Sequence, residues 1–179
     1  QSLGGTGALK LGADFLKHVV PNAVVAISNP SWENHRALFE KAGFSVVDYP
    51  YYDETTLGLD IEGMVQFLEQ LDPKSIVVLH ACCHNPTGID PTFEQWQRIA
   101  QVIKTKQLIP FMDIAYQGFG AGLDEDAKAV RYLADQGIPM LVSSSFSKSF
   151  ALYGERVGAL SVITEHAVES PKVLSQLKR

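Results

Sequence analysis

Lys148 stands in the stretch SSSFSKSFALYGERVG, Ser143 to Gly158, in a serine-rich bend just after the apolar run Ile138 to Val142. An amine at the end of a buried strand is placed to attack a carbonyl, and lysine does so once desolvation lowers its pKa. Arg156 follows, flanked by Gly154 and Gly158. The neighbouring serine hydroxyls and a planar guanidinium form the donor set a phosphate needs. Amine chemistry beside a phosphate cradle calls for a cofactor that carries both a carbonyl and a phosphate. A lysine in such a bend is otherwise a solvated surface residue, so the reading depends on the rest of the chain.

Three other segments bear on it. HNPTG, His84 to Gly88, follows the apolar run SIVVLHACC and is turn chemistry at a strand's end. PFMDIAYQGFG, Pro110 to Gly120, sets Asp113 inside an apolar strand, with Tyr116 shortly after it. A carboxylate there is costly to bury unless a cation meets it, and a protonated pyridine nitrogen would be that cation. LGGTGALKLGADFL, Leu3 to Leu16, is a glycine-rich loop running into a helix, whose first N–H groups would face an anion.

Taken in order, the chain resembles the fold-type I pyridoxal phosphate (PLP) enzymes, most closely the class I aspartate and aromatic amino-acid aminotransferases. The strings GGTGAL, NPSWENH, HACCHNPTG, DIAYQGFG and SFSKSFALYGERVG carry the resemblance, from near residue 4 to residue 158. It implies an enzyme that moves an amino group between an L-amino acid, aspartate or aromatic, and a 2-oxo acid such as 2-oxoglutarate, through a Schiff base on Lys148. Lys148 would hold pyridoxal 5'-phosphate and then carry the proton at the substrate Cα. By the same resemblance Asp113 pairs with the pyridine nitrogen, Asn85 and Tyr116 bond the phenolic oxygen, and Trp32 stacks on the ring. Gly5, Thr6, Ser145, Ser147 and Arg156 match the phosphate-binding set, and Trp32 and Asn85 are also expected to meet the substrate. The family works as a homodimer and adds a small domain built from both chain ends. Residues 1–179 are therefore expected to be the PLP-binding large domain of a longer chain. The arginines that clamp the substrate carboxylate are expected to lie outside it. A lyase-like or non-catalytic relative with the same pocket stays open, as does a plain phosphosugar binder, which would leave Lys148 and Asp113 without work.

Composition is consistent with this. The chain has 179 residues, about one domain, and a net charge of −5, which offers no basic face to nucleic acid. No apolar run reaches the roughly 18 residues needed to span a membrane, and no secretory signal is visible. The two cysteines, Cys82 and Cys83, are adjacent, which fits a reducing, cytoplasmic compartment.

Periodicity predicts helices over 7–19, 32–42, 61–70, 91–106 and 126–136, with Thr92 capping the fourth and Glu94 near its start. Strands are expected over 23–28, 45–49, 75–82, 109–114, 140–144 and 159–163. Alternating helices and strands, apolar on both strand faces and joined by short links, argue for an α/β fold, a three-layer α/β/α domain on a mostly parallel sheet. Ligands in such a sheet sit off the strands' carboxyl ends, where Asn85, Asp113 and Lys148 are expected. The cluster His80, Cys82, Cys83 and His84 is read as structural, with no metal. On an extended strand His80, Cys82 and His84 would share one face, a poor tetrahedral site. His18, His35 and His166 carry no assigned role, although His35 is close to Trp32.

Overall fold

The computed structural model describes residues 1–178; Arg179, the last residue of the expected domain, lies outside them. Seven strands form one sheet: β1 (Ser2–Leu3), β2 (Val24–Asn29), β3 (Ser45–Pro50), β6 (Ile76–His80), β7 (Ile109–Ile114), β8 (Met140–Ser145) and β9 (Val157–Ile163). Their order is β1-β9-β8-β7-β6-β2-β3. The run from β3 to β8 is parallel, while β9 pairs antiparallel with β8 and with β1. The sheet is thus mostly parallel with an antiparallel edge. Two short strands, β4 (Tyr52–Asp53) and β5 (Gly58–Leu59), pair separately.

The period-2 alternation of the central strands builds two cores. In β6, Ile76 and Val78 face one side and Val77 and Leu79 the other. The first side packs under α1 (Gly4–Val19) and α2 (Glu33–Lys41) through Leu9, Ala13, Leu16 and Phe39. The second packs under α3 (Ile61–Gln70), α4 (Phe93–Lys106) and α6 (Lys128–Asp135) through Met64, Leu68, Ile99, Ile103 and Leu133. Strands buried on both faces read as continuous apolar runs, which is why they were legible. The three-layer expectation holds.

Local signals place several ends. Thr92 caps α4 as expected, but the box is closed by Gln95: the Gln95 N–H donates to Thr92 Oγ1 (3.3 Å) and Thr92 N–H donates to Gln95 Oε1 (2.8 Å). The helix expected over 126–136 is two helices, α5 (Leu123–Asp126) and α6, which meet at Ala127. Neither glycine nor proline marks that break; the Asp126 side chain is taken by the loop before it. Helix α1 begins at Gly4, so Gly5 and Thr6 belong to its first turn and not to a preceding loop. A last helix, α7 (Ser170–Leu177), packs on α1 and β9 and had no sequence expectation.

Candidate active site

A cavity of ≈230 Å³ opens at the carboxyl ends of the parallel strands. Trp32 reaches it after β2, Asn85 after β6, Asp113 and Tyr116 from the end of β7, and Lys148 after β8. Gly5 and Thr6 from α1, Ser145 and Ser147 around the end of β8, and Arg156 before β9 complete the lining. The residues that the sequence assigned to the cofactor therefore all line one space.

The anion-binding side is built from the first turn of α1. That turn has no side-chain cap and no acidic residue, so its positive dipole end and the N–H groups after Gly4 are open to an anion. Gly4 has φ +68°, and a Cβ there would stand 2.6 Å from Arg156 Nη2, so only glycine lets the guanidinium approach. The Gly4 N–H donates to the Arg156 carbonyl (2.8 Å), and Arg156 Nη1 donates to the Tyr153 carbonyl (3.0 Å) and Ser147 Oγ (3.4 Å). Ser145 and Ser147 are buried. Hydroxyls, guanidinium and helix terminus together form a cradle for a phosphate-sized dianion.

Lys148 Nζ lies 4.6 Å from the centroid of the Tyr116 ring and 5.8 Å from that of Tyr153. No carboxylate of the described residues pairs with it. With aromatic faces beside it and no carboxylate paired to it, the group can meet an electrophile once it has shed its proton.

Asp113 is buried, and its Oδ2 accepts from His35 Nε2 (2.9 Å). The hydrogen bonds fix the direction of a relay behind it. Asn85 N–H donates to His80 Nδ1 (3.1 Å), so that nitrogen is an acceptor. Burial, with His35 and His84 nearby, holds the His80 pKa well below its ordinary value, so the ring is neutral and carries its proton on Nε2. It then donates to His35 Nδ1 (3.2 Å), which leaves His35 Nε2–H for Asp113. The relay runs from the Asn85 backbone to the Asp113 carboxylate. His35 was the residue sequence reading missed. Its one signal was its spacing from Trp32 across the first turn of α2, and the two rings meet edge-on at 5.4 Å. His80 and Tyr153 also line the cavity.

The Asn85 turn is bolted from below. Asp90 accepts the N–H groups of Cys83 (2.6 Å) and His84 (2.8 Å). His84 bonds Ser28 Oγ (2.9 Å) and Thr87 Oγ1 (2.8 Å) and stacks on Tyr51 at 3.8 Å. Burial lowers its pKa to about 4.

The expected strand geometry of the His/Cys cluster needs correction. β6 ends at His80, so Cys82, Cys83 and His84 lie in a turn and share no strand face. Instead His80 joins His35 and Asp113, and Cys82 and Cys83 join Asp126; in each group three ligating atoms lie within 4.8 Å of one another. Asp113 Oδ2 is bonded to His35, and both Asp126 oxygens accept backbone N–H groups. Burial pushes both thiols up, away from the thiolate form that binds metals. The double substitution Cys82→Ala and Cys83→Ala is expected to leave activity of the intact protein within a few-fold and to release no zinc. Elemental analysis beside a rate assay checks this; stoichiometric zinc lost in the variant would contradict it.

Layers, sheet order and strand-end cavity define a fold-type I α/β/α domain, with an amine, a buried carboxylate and an anion cradle gathered in one pocket. The family model described as aminotransferase class I and II matches residues 1–179, and the chain belongs to that family. It is 62% identical over 179 residues to an aspartate aminotransferase of Pseudomonas aeruginosa, covering 100% of this chain and 45% of that one. It is 57% identical over 178 residues to the aromatic-amino-acid aminotransferase of Escherichia coli, covering 99% of this chain and 45% of that one. An aromatic-amino-acid aminotransferase structure from Burkholderia pseudomallei, covalently bound to pyridoxal phosphate, superposes with a TM-score of 0.98 at 61% identity, covering 99% of this chain and 45% of that one. The chain thus spans less than half the length of the relatives it matches.

Proposed function

We propose that residues 1–179 are the cofactor-binding large domain of a pyridoxal 5'-phosphate-dependent aminotransferase. Its substrates would be an L-amino acid, aspartate or aromatic, and a 2-oxo acid such as 2-oxoglutarate. One observation carries the reading: the amine of Lys148, the carboxylate of Asp113 and the anion cradle line the same cavity. The fit to the cofactor is supported by chemistry the chain otherwise leaves unused. The first turn of α1 is uncapped, Gly4 makes room for Arg156, and only Oδ2 of Asp113 is engaged by His35.

Bound there, the cofactor supplies an electron sink for the carbanion formed at the substrate Cα. The chain's residues do the rest. Lys148 would be the covalent attachment point and would move the proton at the substrate Cα. Asp113 keeps the pyridine nitrogen protonated, and the His80–His35 relay holds that carboxylate in place. Asn85 and Tyr116 bond the phenolic oxygen, and Trp32 covers a ring face, with Trp32 and Asn85 also meeting the substrate. Gly5, Thr6, Ser145, Ser147 and Arg156 anchor the phosphate while the covalent link is exchanged.

A cytoplasmic homodimer is the expected working form. The free thiols of Cys82 and Cys83 are consistent with a reducing compartment. Among the described residues no helix is long and apolar enough to cross a membrane. Leu3, Phe119, Phe150 and Tyr153 leave apolar surface exposed, suited to a second subunit. The test is a spectral titration of the intact protein with aspartate, phenylalanine and glutamate, with amino transfer to 2-oxoglutarate measured alongside. A visible PLP band bleached by an amino acid supports the reading; a protein that takes up no PLP overturns it.

A further inference from the structure

The Asp126 carboxylate is only 6% exposed and is absent from the cavity lining. Its Oδ2 accepts the backbone N–H groups of Gly118 (2.7 Å) and Gly120 (3.0 Å), and its Oδ1 that of Ala121 (2.8 Å). Burial alone would raise the Asp126 pKa, but these amides outweigh it and hold the carboxyl below its ordinary value. The loop is shaped to close on this group. Gly118 has φ +96°, and a Cβ on Gly120 would stand 2.7 Å from Asp126 Oδ1.

At the head of the loop is Tyr116. Its carbonyl accepts from Phe119 N–H (3.0 Å), and its ring stands against the Lys148 amine. Among the described residues no protein group bonds the Tyr116 hydroxyl, so the backbone of its loop decides where the ring sits. Among the described residues Asp126 is the one carboxylate that ties this backbone down.

We infer that Asp126 is a positioning residue: its carboxylate fixes the loop over residues 116–121 and so places the Tyr116 ring against Lys148. The consequence for the cofactor rests on the function proposed above, in which the Tyr116 hydroxyl bonds the phenolic oxygen; a hydrogen bond donated to that oxygen favours its ionised form and so lowers the pH midpoint of the bound chromophore. Asp126→Asn keeps the side chain's size but turns an NH₂ toward at least one amide that needs an acceptor.

The experiment uses the full-length holoenzyme and compares wild type, Asp126→Asn, Tyr116→Phe and the double variant. The readout is the pH midpoint of the visible absorbance of bound PLP. Asp126→Asn should raise the midpoint by about 1 pH unit, the scale of one hydrogen bond to a charged group. The double variant should match Tyr116→Phe alone. An unchanged midpoint in Asp126→Asn overturns the inference, as does an equal further rise in the Tyr116→Phe background. A purely structural residue would lower the melting temperature and leave the midpoint in place. If Asp126→Asn does not fold, Gly120→Ala disturbs the same contact from the loop side and is read in the same way. Failure of the aminotransferase reading shows separately, as wild type that takes up no PLP. In that case crystal structures of wild type and Asp126→Asn decide: a Tyr116 ring displaced from Lys148 supports the positioning role, and an unmoved ring overturns it.

Discussion

Lys148→Ala in the intact protein is expected to abolish amino transfer and the visible absorbance of the lysine-bound cofactor. The change removes the one amine that lines the cavity among the described residues, whose Nζ lies against Tyr116 and Tyr153 and pairs with no carboxylate of those residues. Folding should be nearly untouched, because a partly exposed cation–aromatic contact contributes only about 0.5–1 kcal/mol. The loss in rate should be far larger, on the order of 10⁶-fold or about 8 kcal/mol, since both the covalent step and the proton transfer go with the amine. Two measurements check this. Single-turnover kinetics should show no product in the variant while the melting temperature stays within a few degrees of wild type. Borohydride reduction of the wild-type holoenzyme followed by peptide mapping should place the label on Lys148. A label on Lys10, which pairs with Asp14, or on Lys104, which donates to the Gln136 carbonyl, would remove Lys148 from its assigned place.

Asp113→Ala should cost several orders of magnitude in rate, on the order of 4–7 kcal/mol of barrier. In the proposed role, loss of the carboxylate would leave nothing to keep the pyridine nitrogen protonated, and the electron sink would weaken. The alanine variant also strands His35. That ring is fully buried, and its Nε2–H would lose its acceptor, a stability cost of about 1–3 kcal/mol. Asp113→Asn separates the two effects. The asparagine oxygen can still accept from His35, so stability should recover, while an amide cannot stand as the counter-charge of a pyridinium. Activity should therefore stay low in Asp113→Asn although its melting temperature approaches wild type. PLP should still bind through the phosphate donors in both variants. Near-normal turnover in either would rule out the pairing.

Much of the fold was legible because the strands are buried on both faces. SIVVLH and IPFMDI are largely apolar runs, as expected of strands covered by helices on both faces. The α4 helix carries its own start chemistry, so its first residue needed little more than Thr92. What failed locally failed for want of a local signal. The break at Ala127 follows from Asp126 turning back to the loop before it, a contact invisible to periodicity. The antiparallel β9 and β1 edge is a matter of pairing, and strand periodicity does not carry direction.

The site divides along the same line. The sequence by itself determined which chemical groups are present and that Asn85, Asp113 and Lys148 fall near strand ends, because apolar runs bounded by turn residues mark roughly where a strand lies, although β6 stops at His80 and not at Cys82. Only the tertiary structure decided how they are held. His35 meets Asp113 across a separation of 78 residues, and its proton is directed there by a relay that begins at the Asn85 backbone. The Gly4 and Arg156 backbones meet across the junction of α1 and β9, and the Asp126 carboxylate closes on its loop. The reason is physical: hydrogen bonds are short and directional, so which donor finds which acceptor depends on where the sheet brings distant segments, and no local spacing of residue types encodes that.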